Sequence, residues 1–331
     1  MDHKQLEQVD AQAQKLLADF VPDKVFDTHT HIYHEQFTTD LCANKPNGPF
    51  TCYGWERYLQ DMQRVLPGRT IHANMIPYPD KHLAVNKANR QASDEFTVAQ
   101  LEKDPLSVGE IIVAPGDTAE ELEKRLIHPR IRGFKCYYLL ARQTDDTRDC
   151  DPQEFLPEGA WELADSKGLV ITLHLTKPDA LADPINLAYV RTMAKRFPHA
   201  ILILAHAARS YASWPGVESA EQIADLDNVW LDFSAIFHSP PAFQFIKKAG
   251  ISRCMWGTDF PICNERFTSV SLGRDQYWLG EKMQQSICKV GWDIATQTLM
   301  AIREACIMAD LTKNQIEDLF YNNAMSLFHG K

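Results

Sequence analysis

The chain has 331 residues, 45% of them hydrophobic and 24% charged, with a formal net charge of −10. That is the composition of an ordinary globular protein, and the length allows two average domains or one large α/β barrel with insertions. The acidic balance and the lack of a Lys/Arg-rich run argue against a nucleic-acid partner, and the longest apolar stretches, such as AILILAHAA, fall far short of the roughly 20 residues that span a bilayer.

The first 20 residues lack the apolar core of a signal peptide and place Leu6, Val9, Ala13, Leu16, Leu17 and Phe20 at helical spacing, which predicts a packed amphipathic helix. Eight short apolar runs then recur at 24–31, 69–77, 107–115, 131–139, 169–175, 200–208, 228–235 and 254–261, and helical patterns separate most of them. Strands alternating with helices pair in parallel through right-handed crossovers, and eight such units close into a barrel without an edge. The expected fold is therefore α/β, a (β/α)8 TIM barrel forming one domain over 1–331. Asp117 with Glu120 predicts a capping box, and Gly168 and Gly250 predict helix C-termini. Segments 34–66 and 262–313 exceed the repeat. They follow the first and eighth strands at the end where barrels build sites, and read either as substrate-enclosing insertions or as a subunit interface. The eight cysteines lack paired zinc-motif spacing and, with no export signal, read as reduced thiols of a cytoplasmic protein.

The stretch VFDTHTHI, residues 25–32, interrupts this apolar pattern. Strand alternation puts Asp27, His29 and His31 on one face, which in a barrel looks toward the axis. Buried polar groups without partners cost roughly 1–3 kcal/mol each, so a common partner is expected. One His-x-His does not by itself specify a metal. However, His174 closes LVITLHL, His206 closes AILILAH and Asp259 sits in WGTDFP, so four strands bring five candidate ligands to one rim. Mixed imidazole and carboxylate ligands suit zinc, and manganese or another divalent ion is also compatible. Arg209 reads as a ligand for a substrate carboxylate or as a surface salt bridge, Tyr137 as pocket lining or core, and Asn74 as a donor to substrate or to barrel groups. Asp232 and Ser234 share a face and read as supports that orient a ligand histidine. His34, His72, His82, His128, His199 and His238 lack ligand spacing and read as surface or structural.

The order of FDTHTH, GFKCYY, ITLHL, LAHAAR, NVWLDFS and GTDFP, ending in IEDLFYNNAMSLF, resembles the amidohydrolase superfamily over nearly the whole chain. It is most similar to the amidohydrolase-2 group, which includes metal-dependent hydrolases, lactonases and relatives of aminocarboxymuconate-semialdehyde decarboxylase. The resemblance implies that His29, His31, His174 and Asp259 bind a catalytic divalent ion. It implies that His206 lies beside that ion as an acid/base or binds a second one, and that Asp259 also moves the proton of the attacking water. Lys135 matches the place of a lysine that is carboxylated in binuclear relatives; the alternative is a lysine contacting an anionic substrate or a barrel carboxylate. The implied activity is hydrolysis of a small ester, lactone or amide by a metal-activated water. Nonhydrolytic decarboxylation of a small unsaturated or aromatic acid uses the same ligands, and a purely structural metal is a third reading. The expected partner is a small molecule, carboxylate-bearing if Arg209 serves it, and a homo-oligomer is compatible.

Overall fold

The computed structural model describes residues 3–38, 51–142, 146–280 and 291–330. An N-terminal helix, His3–Leu17, precedes the first strand. It buries Ala13 and Leu17, while Leu16 of the expected apolar stripe is half exposed. The strands are β1 (Lys24–His34), β2 (Cys52–Tyr53), β3 (Thr70–Pro77), β4 (Val108–Ile112), β5 (Ile131–Cys136), β6 (Val170–Leu173), β7 (Ile201–Leu204), β8 (Val229–Asp232) and β9 (Cys254–Met255). They form one sheet in the order β2-β1-β3-β4-β5-β6-β7-β8-β9. Every neighbouring pair from β1 onward is parallel, and β2 is an antiparallel addition to β1.

The eight parallel strands fall on the eight apolar runs. Runs such as VITL and ILIL are apolar without alternation because helices cover one face and barrel side chains fill the other. Beyond β9 the chain returns to β1. Thr28 N donates to Trp256 O (3.0 Å), Asp259 N to His29 O (2.6 Å) and His31 N to Phe260 O (2.7 Å), which makes the sheet a TIM-barrel-like α/β fold. The connecting helices end as their sequences direct. Gly168 takes φ +62° after Glu158–Lys167, a conformation glycine adopts without a Cβ penalty.

Three local expectations are corrected. The capping box is made by Thr118 and Glu121, one residue later than read, because Asp117 instead takes both oxygens to Arg90 (2.7 Å each). The seventh strand stops at Leu204, and His206, Ala207, Ala208 and Arg209 form a left-handed turn with φ of 58°, 48°, 58° and 61°. Finally, a register shift between Asp27 and Thr30 breaks the alternation of β1, so Asp27 does not join the two histidines.

The described parts of the two insertions are ordered around the same end of the barrel. The first supplies β2 and the helix Trp55–Val65; the second supplies the hairpin β10 (Thr268–Leu272) and β11 (Asp275–Leu279) and the helix Ile294–Met308. Cys42 and Cys288 lie outside the described residues, and the other six cysteines are free thiols. No helix among the described residues is long and apolar enough to cross a membrane.

Candidate metal centre at the barrel mouth

His29 and His31 project from β1, Lys135 stands near the end of β5, and His174 follows β6 directly. His206 and Asp259 come from the segments after β7 and β9, both at positive φ. Left-handed backbone costs an L-residue about 1–2 kcal/mol, so these two turns are held by their surroundings.

Hydrogen-bond partners fix the tautomers of three imidazoles. His29 Nδ1 lies 2.5 Å from Asp232 Oδ2, His206 Nδ1 lies 3.3 Å from the Ser234 carbonyl and 2.9 Å from its hydroxyl, and His174 Nδ1 lies 2.8 Å from the Leu175 carbonyl. A carbonyl or carboxylate oxygen can only accept, so each Nδ1 holds the hydrogen and each Nε2 presents a lone pair. Burial also pushes the pKa values of these rings down, with Lys135 adding to the effect at His29.

Asp259 completes the cluster. Its Oδ1 is 3.1 Å from His31 Nε2 and 3.6 Å from His29 Nε2. Burial alone would raise its pKa, but His206, His31 and His29 hold it well below the usual carboxylate range. Ligand atoms of His29, His206 and Asp259 all lie within 4.8 Å of one another, and all three residues are buried. Two neutral nitrogen lone pairs and an ionised carboxylate converging in a buried space are a donor set that suits a divalent cation. His31 joins through its contacts with Asp259 and His29, whose Nε2 is 3.3 Å away. His174 stands one ring further out, with Nε2 accepting from the Tyr211 hydroxyl (3.1 Å).

Below this cluster lies a polar layer inside the barrel. Lys135 is fully buried, with Nζ 3.1 Å from His29 Nε2. Burial lowers its pKa against the pull of Glu110. Glu110 accepts from Asn74 Nδ2 (2.7 Å) and Thr172 Oγ1 (2.6 Å), and burial pushes its pKa up to about 7. Asn74 also donates to the Thr28 carbonyl (3.2 Å), so its amide hydrogens serve barrel groups, the second of its two readings.

Tyrosines line the mouth. Tyr78 packs on His31 (ring centroids 5.4 Å), Tyr137 and Tyr138 on His174 (4.6 and 5.4 Å), and Tyr211 on His206 (5.4 Å). Arg209 donates to the Lys177 carbonyl (2.8 Å) and lies 5.4 Å over the Tyr211 ring. Trp278 of the hairpin braces the other side of Tyr211 at 5.3 Å. His34 is turned away, accepting from Gln36 N and packing near Phe37 and Phe96.

Sequence reasoning missed Glu110, Tyr78, Tyr138, Tyr211 and Trp278. Glu110 left a signal, as the one charge in SVGEIIVAP. The others left none, because an aromatic near a strand end reads equally well as core.

A family model described as Amidohydrolase matches residues 26–330. Among solved structures, amidohydrolase 2 from Bifidobacterium longum subsp. infantis is 13% identical with a TM-score of 0.55, over 92% of this chain and 98% of that one. A zinc-bound amidohydrolase from Burkholderia multivorans is 13% identical with a TM-score of 0.58, over 92% and 98%. The 5-carboxyvanillate decarboxylase LigW from Sphingomonas paucimobilis is 14% identical with a TM-score of 0.59, over 93% and 99%. At that identity these likenesses concern the fold, and no curated protein matches the sequence. The family match over nearly the entire chain, joined to the barrel and its buried His/His/Asp group, identifies the chain as a member of the amidohydrolase-2 family.

Proposed function

We propose that this protein is a metal-dependent hydrolase of a small ester, lactone or amide. The observation that supports this reading most is the convergence of neutral imidazole lone pairs and an ionised Asp259 in one buried cluster. His29, His31, His174 and Asp259 are the proposed ligands, with His206 adjoining them, and zinc is the ion the donor set suits best. A divalent ion there supplies a Lewis acid and a water of lowered pKa.

The chain's own groups do the rest. Asp259 accepts the proton of the attacking water and returns it to the leaving group. His206, oriented by Ser234, presents its Nε2 lone pair beside Asp259 as a second base that shares the water's proton before it passes to the leaving group. Lys135 and Arg209 offer positive charge to an anionic substrate, and Tyr137, whose ring packs on His174, lines the pocket beside them.

The test is elemental analysis of untagged protein, then turnover of an ester, lactone and amide panel by the wild type and Asp259→Asn. About one divalent ion per chain and an inactive but folded variant are expected. No metal uptake, or wild-type rates in the variant, would sink the reading.

A second reading is nonhydrolytic decarboxylation of a small unsaturated or aromatic acid. It is favoured by the four tyrosine rings against the histidines, which suit a flat conjugated substrate. Carbon dioxide released from an acid panel without addition of water would establish it over hydrolysis.

A further inference from the structure

The site's geometry depends on a seam. His29 sits on β1, whereas Asp259 sits past the end of β9, and Thr258 just before it is 229 residues from His29 in sequence. Backbone hydrogen bonds cross the seam from Thr28 N to Trp256 O, from Asp259 N to His29 O and from His31 N to Phe260 O. On its other edge, facing β3, β1 has a register shift between Asp27 and Thr30, and across the seam Asp259 has φ +60°. The backbone is therefore irregular at the point where the ligands must be placed most accurately.

We infer that Asp27 and Thr258 are the positioning pair that stitches this seam and sets the spacing of His29 and Asp259. Asp27 Oδ1 accepts from His29 N (3.0 Å) and Thr258 N (2.9 Å), one amide from each side. Its Oδ2 accepts from Thr258 Oγ1 (2.5 Å) and from Tyr58 OH (3.0 Å), a residue of the helix Trp55–Val65. The carboxylate thus adds side-chain acceptors to the backbone hydrogen bonds across the seam, and ties in the first insertion as a third body. Thr258 Oγ1 also accepts from Phe260 N (3.1 Å), so one hydroxyl bridges the residues on both sides of Asp259.

Gly257 belongs to the same device. A Cβ there would come 2.9 Å from Asp232 Oδ1 and 2.9 Å from the His29 Cβ, so only glycine lets the strand approach this closely. Asp27 in FDTHTH and the Gly-Thr of GTDFP, which metal ligation leaves without a task, thereby acquire one.

This inference rests on the metal reading above, and zinc alone serves as the probe. Zinc affinity is measured by chelator competition, and the visible spectrum of the cobalt-substituted protein reports ligand geometry. The full-length wild type is compared with Thr258→Val, which removes the hydroxyl at similar volume, and Thr258→Ser, which keeps it. Partners that orient metal ligands typically contribute about 10- to 100-fold in affinity, so a loss of that size and a changed cobalt spectrum are expected for T258V, with T258S near the wild type. Asp27→Asn should show the larger loss, but it risks failing to fold, and the Thr258 pair keeps the inference testable. T258V binding zinc as tightly as the wild type, or T258V and T258S losing equally, overturns the inference alone. A wild type that binds no zinc overturns the metal reading and this inference with it.

Discussion

Asp232 shows how one residue determines what its neighbour can do. Its carboxylate lies against His29 Nδ1 and also accepts from the Ser234 amide (2.7 Å) and hydroxyl (3.0 Å), while Ser234 in turn meets His206. One acidic side chain thereby orients two rings and directs their lone pairs inward. Replacing it with asparagine keeps the volume and removes the charge that stabilises the Nδ1–H tautomer. Asp232→Asn should weaken zinc binding about 10- to 100-fold with an unchanged circular dichroism spectrum, and undiminished affinity in a chelator titration would contradict this role. Much of this was legible: the histidines, Asp259, and the pairing of Asp232 with Ser234 all follow from strand ends and alternation. Asp27 was misread because alternation presumes a regular strand, and a bulge leaves no mark on residue type.

At the scale of elements, strands and helices were readable because their runs are apolar at the right lengths, whereas the inserted segments were not. The hairpin β10–β11 has little core of its own, and a two-stranded ribbon is only marginally stable alone. Trp278 anchors it, with ring centroids 5.3 Å from Tyr211, 5.5 Å from Phe237 and 5.3 Å from Phe267. Arg274 stacking on Trp214 at 3.8 Å is a second attachment. Trp278→Ala should accelerate proteolysis within 268–279 while the thermal midpoint of the barrel stays close to that of the wild type. Cleavage at the wild-type rate would show that the ribbon is held by other contacts. The left-handed turn at 206–209 was unreadable for a related reason: LAHAAR contains no glycine to announce positive φ, and the surrounding packing imposes it.

For the whole molecule, the proposed ligands come from β1 and from the segments after β6 and β9, with His206 after β7 beside them and Asp232 of β8 in support, so a cation bound there links strands from both sides of the barrel closure. Binding to the folded chain alone stabilises it by mass action, about 2.7 kcal/mol when the free ion is at 100 times its dissociation constant. Stripping the protein with chelator should therefore lower its thermal midpoint, and reloading with zinc should restore it. Identical midpoints would argue against a bound ion in the folded state. The chain by itself determined the alternation of apolar strands and helices, and hence the barrel, since burial of those runs requires covered parallel strands. It also determined which histidines and carboxylates stand at strand ends, since that position follows from sequence order. Only the tertiary structure decided the imidazole tautomers, the aromatic wall and the seam at Asp27 and Thr258, because each depends on contacts between segments far apart in the chain that no local pattern encodes.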